Sequence, residues 1–214
     1  MTSNIVKLTL QQLLTYGVHL GYFKNFLHRD LKPYLLGFKG VIHIFNLKHI
    51  RLQLRLILQL VVNVVALRQY ILLVNHEQAV NIDRLPLVRR LQSVDGSWIG
   101  GFLTNHKKVK LASLKKTKIK KVQFPVFPSV VFFLNSDKNN WGFKECINLN
   151  IPTGVVTGSS FNLLHRCLYP LPGNCLSYDV LNFYAQVVQK AVSKGLIKEQ
   201  FNIFKIKSNK WVNI

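Results

Sequence analysis

Short, apolar, β-branched runs alternate along this chain with longer segments whose apolar residues recur at the helical period. That alternation restricts the fold more than any other feature. Val41-Ile42-His43-Ile44-Phe45 reads as a buried strand. Leu47 to Arg68 has helical length, with Ile50, Leu54, Ile57, Leu58, Val61 and Val65 on one period and further apolar residues on its other sides. Tyr70 to Val74 is the next strand, and Glu77 to Gln92 reads as a helix bent near Pro86. Ser129 to Leu134 predicts a third strand, Asn139 to Leu149 a short helix, and Thr153 to Thr157 a fourth strand. Ser177 is placed as an N-cap, with Asp179 in the first turn, where it favours the helix dipole. Val180, Tyr184, Val187, Val188 and Ala191 then mark one helical face, and Gly195 is expected to stop the helix. Strands alternating with helices predict an α/β fold: a mostly parallel sheet with helices on both faces. Ligands of such sheets gather beyond the carboxyl ends of the strands.

At 214 residues the chain is long enough for one domain with an appendage. The expected division is one α/β domain over residues 1–195, containing a basic connection over 105–128, followed by a basic tail over 196–214. No internal repeat is visible. Hydrophobic residues make up 49%, which supports a core and excludes a disordered chain. Charge is lopsided, with 29 Lys and Arg against 8 Asp and Glu, a formal net charge of +21. Such a chain repels itself and holds polyanions, so nucleic acid is the first partner class and an anionic membrane surface the second. The one candidate span, Leu54 to Val74, is interrupted by Arg55 and Arg68, and its charge-free stretch from Leu56 to Leu67 is too short for a bilayer. Cys146, Cys167 and Cys175 form no C-x-x-C pair, which fits buried thiols in a reducing compartment. The N-terminus carries neither a cleavable signal pattern nor an arginine-rich transit pattern, so an organellar copy is expected to be made in the organelle.

Enzymatic signatures are missing. There is no G-x-G-x-x-G after a strand, no phosphate-binding loop and no G-x-S-x-G elbow. His76-Glu77 starts a zincin-like motif, but position 80 is Val. The sparse carboxylates offer no close pair for acid–base work. His19 and His43 stand among apolar residues and read as structural, each hydrogen-bonded through one nitrogen. No catalytic residue, metal site or cofactor is expected.

The basic residues carry the stronger signal. Lys107, Lys108, Lys110, Lys115, Lys116, Lys118, Lys120 and Lys121 place eight lysines between His106 and Lys121 with no acidic residue among them. A solvated face is the plain reading of a charge run. Uncompensated repulsion favours phosphate neutralisation, which positions a backbone rather than reading bases. A second region holds Lys24, Arg29, Lys32 and Lys39 among Phe23, Phe26, Tyr34 and Phe38. Its aromatics either stack on unpaired RNA bases or pack beneath the sheet. Lys205, Lys207 and Lys210 lie in the tail with Phe201, Phe204 and Trp211, and the same two readings apply. Cations spread over the whole chain suit a protein embedded in a large RNA.

Five blocks also carry a family resemblance. Leu13-Leu14-Thr15-Tyr16-Gly17-Val18-His19-Leu20-Gly21 opens the series. Lys32-Pro33-Tyr34-Leu35-Leu36-Gly37 follows, with Gly40-Val41-Ile42-His43-Ile44-Phe45-Asn46-Leu47 after it. Trp98-Ile99-Gly100-Gly101-Phe102-Leu103-Thr104-Asn105 is the most specific block. Ile151-Pro152 and Pro170-Leu171-Pro172-Gly173-Asn174 complete it. In content and order these resemble the small-subunit ribosomal protein S2 family. The resemblance implies a flavodoxin-like Rossmannoid three-layer sandwich, no enzymatic activity, and contacts with small-subunit rRNA and neighbouring ribosomal proteins. Thr104 and Asn105 join the candidate rRNA contacts, because the turn from Trp98 to Asn105 leads into the lysine run. Trp98 and Gly100-Gly101 equally read as a core anchor and a tight turn.

The departures from the family pattern point to a particular setting. Family members carry a long coiled-coil hairpin where Asn105 to Pro128 leaves room only for a short connection. Val74-Asn75-His76, Gly158-Ser159-Ser160 and Cys175-Leu176 stand where the family has charged or more polar residues. A shortened hairpin, this drift and a Phe/Asn/Lys/Ile/Leu-rich composition suggest a mitochondrion-encoded copy. A plastid copy is expected to keep the hairpin, and a bacterial copy the acidic positions. The competing function is a nucleotide- or membrane-associated α/β protein.

Overall fold

The computed structural model describes residues 8–75, 90–95, 98, 100–105, 127–135 and 140–212. Helix α1 (Leu10–Thr15) opens with a capping box between Thr9 and Gln12. Strands β1 (Leu20–Phe23), β2 (Leu35–Lys39) and β3 (Ile42–Phe45) form a small antiparallel sheet in the order β1-β3-β2. Helix α2 (Leu47–Ala66) follows, capped by the Asn46 side chain. Strands β4 (Ile71–Asn75), β5 (Leu91–Asp95), β6 (Val130–Phe133), β7 (Thr153–Thr157) and β8 (Tyr169–Pro172) form a five-stranded parallel sheet in the order β5-β4-β6-β7-β8. Helices α3 (Asn140–Asn148) and α4 (Tyr178–Val212) complete the chain.

Numbered within the parallel sheet, that order is 2-1-3-4-5, the doubly wound arrangement of flavodoxin-like folds. Neighbouring residues of β6 show the layering, since successive strand side chains point to opposite faces. The Phe132 ring lies 6.4 Å from Tyr184 of α4 on one face. The Phe133 ring lies 6.3 Å from Phe143 of α3 on the other. Both faces are covered, so β4, β6 and β7 are buried throughout; β6 is wholly apolar, β4 apolar up to Asn75, and β7 carries Thr153 and Thr157 at its ends.

Four elements depart from the sequence-based expectations. The run Val41 to Phe45 belongs to the small antiparallel sheet, not the parallel one. Only His43 and Phe45 are buried there, and Val41 is exposed. Leu91 and Gln92, assigned to the end of a helix, start strand β5; the preceding residues 76–89 lie outside the described residues. Strand β8 carries Pro170 and Pro172 and escapes a propensity reading. It is an edge strand, where a missing N–H can face away from the ladder. Gly195 does not end the last helix. Helix α4 runs 35 residues through it, about 52 Å, and continues into the basic tail. Gly195 is instead a point of close approach to α2, where a Cβ would lie 2.6 Å from the Val65 Cβ.

Candidate nucleic-acid interface

A buried carboxylate organises the turn that leads into the lysine run. Glu145 projects from α3, and its Oε1 accepts hydrogen bonds from the Trp98 indole N–H at 3.0 Å and the Gly101 N–H at 2.7 Å. Its Oε2 accepts from the Leu103 N–H at 2.8 Å, the Thr104 N–H at 3.2 Å and the Thr104 hydroxyl at 3.4 Å. Burial pushes the Glu145 carboxyl up, but the donors from Trp98, Leu103, Thr104 and Gly101 outweigh it and hold the group below its ordinary range. Gly101 adopts φ +82°, a left-handed conformation that closes the turn without a Cβ penalty. Gly142 of α3 leaves space for Trp98, since a Cβ there would meet the indole at 2.7 Å. Trp98 and Gly100-Gly101 are therefore the anchor and tight turn of this clamp. Thr104 and Asn105 are both exposed ahead of the lysine run, the Thr104 hydroxyl reaching back to Glu145. Lys107, Lys108, Lys110, Lys115, Lys116, Lys118, Lys120 and Lys121 lie outside the described residues.

Glu145 had no motif to mark it. It was one of eight scattered carboxylates, and only the fold brings it under the turn.

The second basic region forms the small sheet and the two 3-10 turns beside it, Lys24–Phe26 and Arg29–Tyr34. Arg29, Lys32 and Lys39 are exposed; Lys24 starts the first turn. Phe23 and Phe26 are each 60% exposed and do not pack beneath the sheet; Phe38, 51% exposed, pairs with His43 and sets its ring 5.3 Å from the imidazole, and Tyr34 is half-buried. The outer face of the sheet presents a cross-strand row, Phe23–Ile42–Lys39, fixed by the registers of β1 and β2 on β3. A groove of about 430 Å³ runs beside it, walled by Tyr22, Phe23, Phe26, Ile42, Ser160 and Leu176.

The inner face of that sheet is locked to the carboxyl end of β7. The Ser159 hydroxyl accepts from the Tyr22 N–H at 3.0 Å and lies 3.2 Å from Nδ1 of buried His43. The Ser159 carbonyl accepts from the His28 N–H at 2.8 Å. Tyr22 Oη lies 2.9 Å from Cys175 Sγ. His43 is thus structural, as its apolar setting predicts. His19 is held below its ordinary pKa by burial and by the nearby Lys39 charge. Two departures from the family pattern, Gly158-Ser159-Ser160 and Cys175-Leu176, meet at this junction and groove.

The tail cations Lys205, Lys207 and Lys210 stand on the last turns of α4. An ion-pair network ties the preceding turns to the body. Glu199 sits 3.2 Å from Arg90 and 3.4 Å from Arg68, and Lys198 donates to Asn63 of α2 at 2.9 Å. Arg90 also donates to the Arg68 carbonyl and lies over the Tyr70 ring. Ile197, Phe201 and Phe204 are exposed on the same stretch.

Among the described residues no three His, Cys, Asp or Glu side chains gather as a metal site. Cys146 and Cys175 are buried, and burial pushes the Cys167 thiol up to about 12. Helix α2 is the one described helix long and apolar enough to cross a membrane. Half of its apolar window is buried, with Ile50, Leu54, Ile57 and Val61 in the core.

Comparison with known proteins agrees with the blocks read in the sequence. The family profile "Ribosomal protein S2" matches residues 13–125, just over half of the chain. The small ribosomal subunit protein uS2 of Shewanella loihica is 25% identical, covering 87% of this chain and 91% of its own length. The uS2 proteins of Ehrlichia canis and Ehrlichia chaffeensis are 27% and 26% identical over 95% of this chain, covering 82% and 83% of their own lengths. The clamp around Glu145 and the sheet order 2-1-3-4-5 thus stand in a chain that belongs to the ribosomal protein S2 family.

Proposed function

We propose that this chain is a structural, non-enzymatic constituent of a mitochondrial small ribosomal subunit, bound to small-subunit rRNA and to neighbouring ribosomal proteins during translation. The observation that carries the reading is the clamp: Glu145 holds the turn that ends at exposed Asn105, and the lysine run follows that residue in the sequence. A chain with a net charge of +21 needs polyanions beside it, and rRNA supplies them. Thr104 and Asn105, the lysines from Lys107 to Lys121, the exposed Arg29, Lys32 and Lys39 with Lys24, and Lys205, Lys207 and Lys210 are the rRNA-contacting set. The mitochondrial setting is supported by the short stretch between Asn105 and Pro128 and by the loss of acidic positions at Cys175 and Leu176.

The test is gradient sedimentation of a mitochondrial lysate at low and high salt, with the chain followed by mass spectrometry. Comigration with the small subunit and its rRNA is expected. Migration as a free or membrane-bound species would overturn the reading.

A further inference from the structure

We propose that the groove beside the small antiparallel sheet binds an unpaired rRNA nucleotide by stacking its base on Phe23 and Phe26. The inference deepens the rRNA-binding reading: it names single-stranded RNA as the ligand at this face and stacking as the contact.

Three observations carry it. First, Phe23 and Phe26 wall a groove of about 430 Å³ and are each 60% exposed, so their ring faces are open to a ligand. Base–aromatic stacking uses such faces and tolerates any base. Second, the row Phe23–Ile42–Lys39 sets an exposed lysine two strands from the aromatic wall, about 10 Å across the sheet. A base held at Phe23 leaves its backbone to run toward that cation. Third, charge selects the occupant. No carboxylate lines the groove, and Asp30, four residues after Phe26, is engaged 3.2 Å from His165 and 3.7 Å from His28. An apolar protein partner would cover Phe23 and Leu176 but bring its surface against Lys39 and Arg29, whereas interface cores are depleted of charge. An RNA strand satisfies both the rings and the cations.

Phe23→Leu/Phe26→Leu keeps apolar bulk and removes the π faces. Phe23→Tyr/Phe26→Tyr keeps the faces. Because both rings are exposed, neither double variant should shift the thermal midpoint of the full-length chain. Binding is read by fluorescence anisotropy on a labelled uridine 12-mer and on an RNA duplex of equal length. The leucine variant is expected to bind the single strand about 5- to 150-fold more weakly, the worth of one stacked base, while duplex binding holds. The tyrosine variant should match the parent. Equal single-strand affinity for leucine and parent would overturn the proposal.

A second arm uses the assembled subunit. Zero-length ultraviolet crosslinking should yield nucleotide adducts on the peptide from Tyr22 to Leu27. Crosslinks from that peptide to a protein neighbour instead would assign the groove to protein and also overturn it. Cosedimentation of the parent chain tests the ribosomal reading separately, so the two can fail independently.

Discussion

The Trp98 indole donates to the Glu145 carboxylate at 3.0 Å across 47 residues of sequence, and the same carboxylate collects the backbone N–H groups of Gly101, Leu103 and Thr104. One buried negative charge thus holds a whole turn. Glu145→Gln replaces one acceptor oxygen with an NH2 group that faces N–H donors. The expected loss is about 2–3 kcal/mol, read from the urea midpoint. Because the folded-state carboxyl titrates below its ordinary range, its stabilisation is fully present above the unfolded pKa. It is lost as pH falls through the lower folded value. Glu145→Gln should flatten that acid limb of the stability profile; an unchanged limb would assign it to other carboxylates.

How far the sequence reveals this molecule depends on the range of the forces involved. Strands β4 and β6 are covered on both faces and appear as legible apolar runs, broken only by Asn75 at the end of β4; β7 is equally buried but is flanked by Thr153 and Thr157 around Val155-Val156. Strands β5 and β8 sit at the sheet edges, where Gln92 and Ser93 are half-buried and Pro170 and Pro172 are tolerated, so local preference points away from strand. The sequence pattern likewise exposed the Trp98 to Asn105 turn but not Glu145, because a partner 41 to 47 residues away carries no local period. The aromatic set around Lys24 to Lys39 was ambiguous until tertiary packing left Phe23, Phe26 and Phe38 exposed.

Gly195 shows how one residue can carry opposite meanings. Read locally it stops a helix; in the fold it lets α4 pass over α2. A Cβ there would lie 2.6 Å from the Val65 Cβ and 3.0 Å from the Val62 carbonyl oxygen. In an exposed helix Gly→Ala stabilises by about 1 kcal/mol. Here Gly195→Ala should destabilise by about 1–3 kcal/mol through overpacking. Adding Val65→Gly, which removes the Val65 Cβ itself, should recover at least about 1 kcal/mol relative to the sum of the single changes. A rise in thermal midpoint for Gly195→Ala alone would contradict the close packing.

Ser159 joins the small sheet to the parallel one through the Tyr22 N–H at 3.0 Å and His43 Nδ1 at 3.2 Å. Ser159→Ala removes the hydroxyl but keeps the carbonyl that accepts from His28. The cost should be about 1–3 kcal/mol, since the partners are buried or half-buried. Hydrogen exchange should locate it: amides of β1 and β3 should exchange faster while those of β4 and β6 keep their protection. Uniformly faster exchange in both sheets would mean that the two unfold as one unit.

Lys107, Lys108 and Lys110 follow the clamped turn directly in the chain. If each neutralises one phosphate, changing all three to Gln removes three counterion-release events. The slope of log affinity against log salt should then flatten by about 2 to 3 units, with the larger figure for duplex contacts. Glutamine keeps the length and polarity of the side chains, so the thermal midpoint should hold. Incorporation into small subunits should fall most at high salt. Unchanged slope and incorporation would reduce the run to a solvated face and leave rRNA binding to Arg29, Lys32, Lys39 and the end of α4.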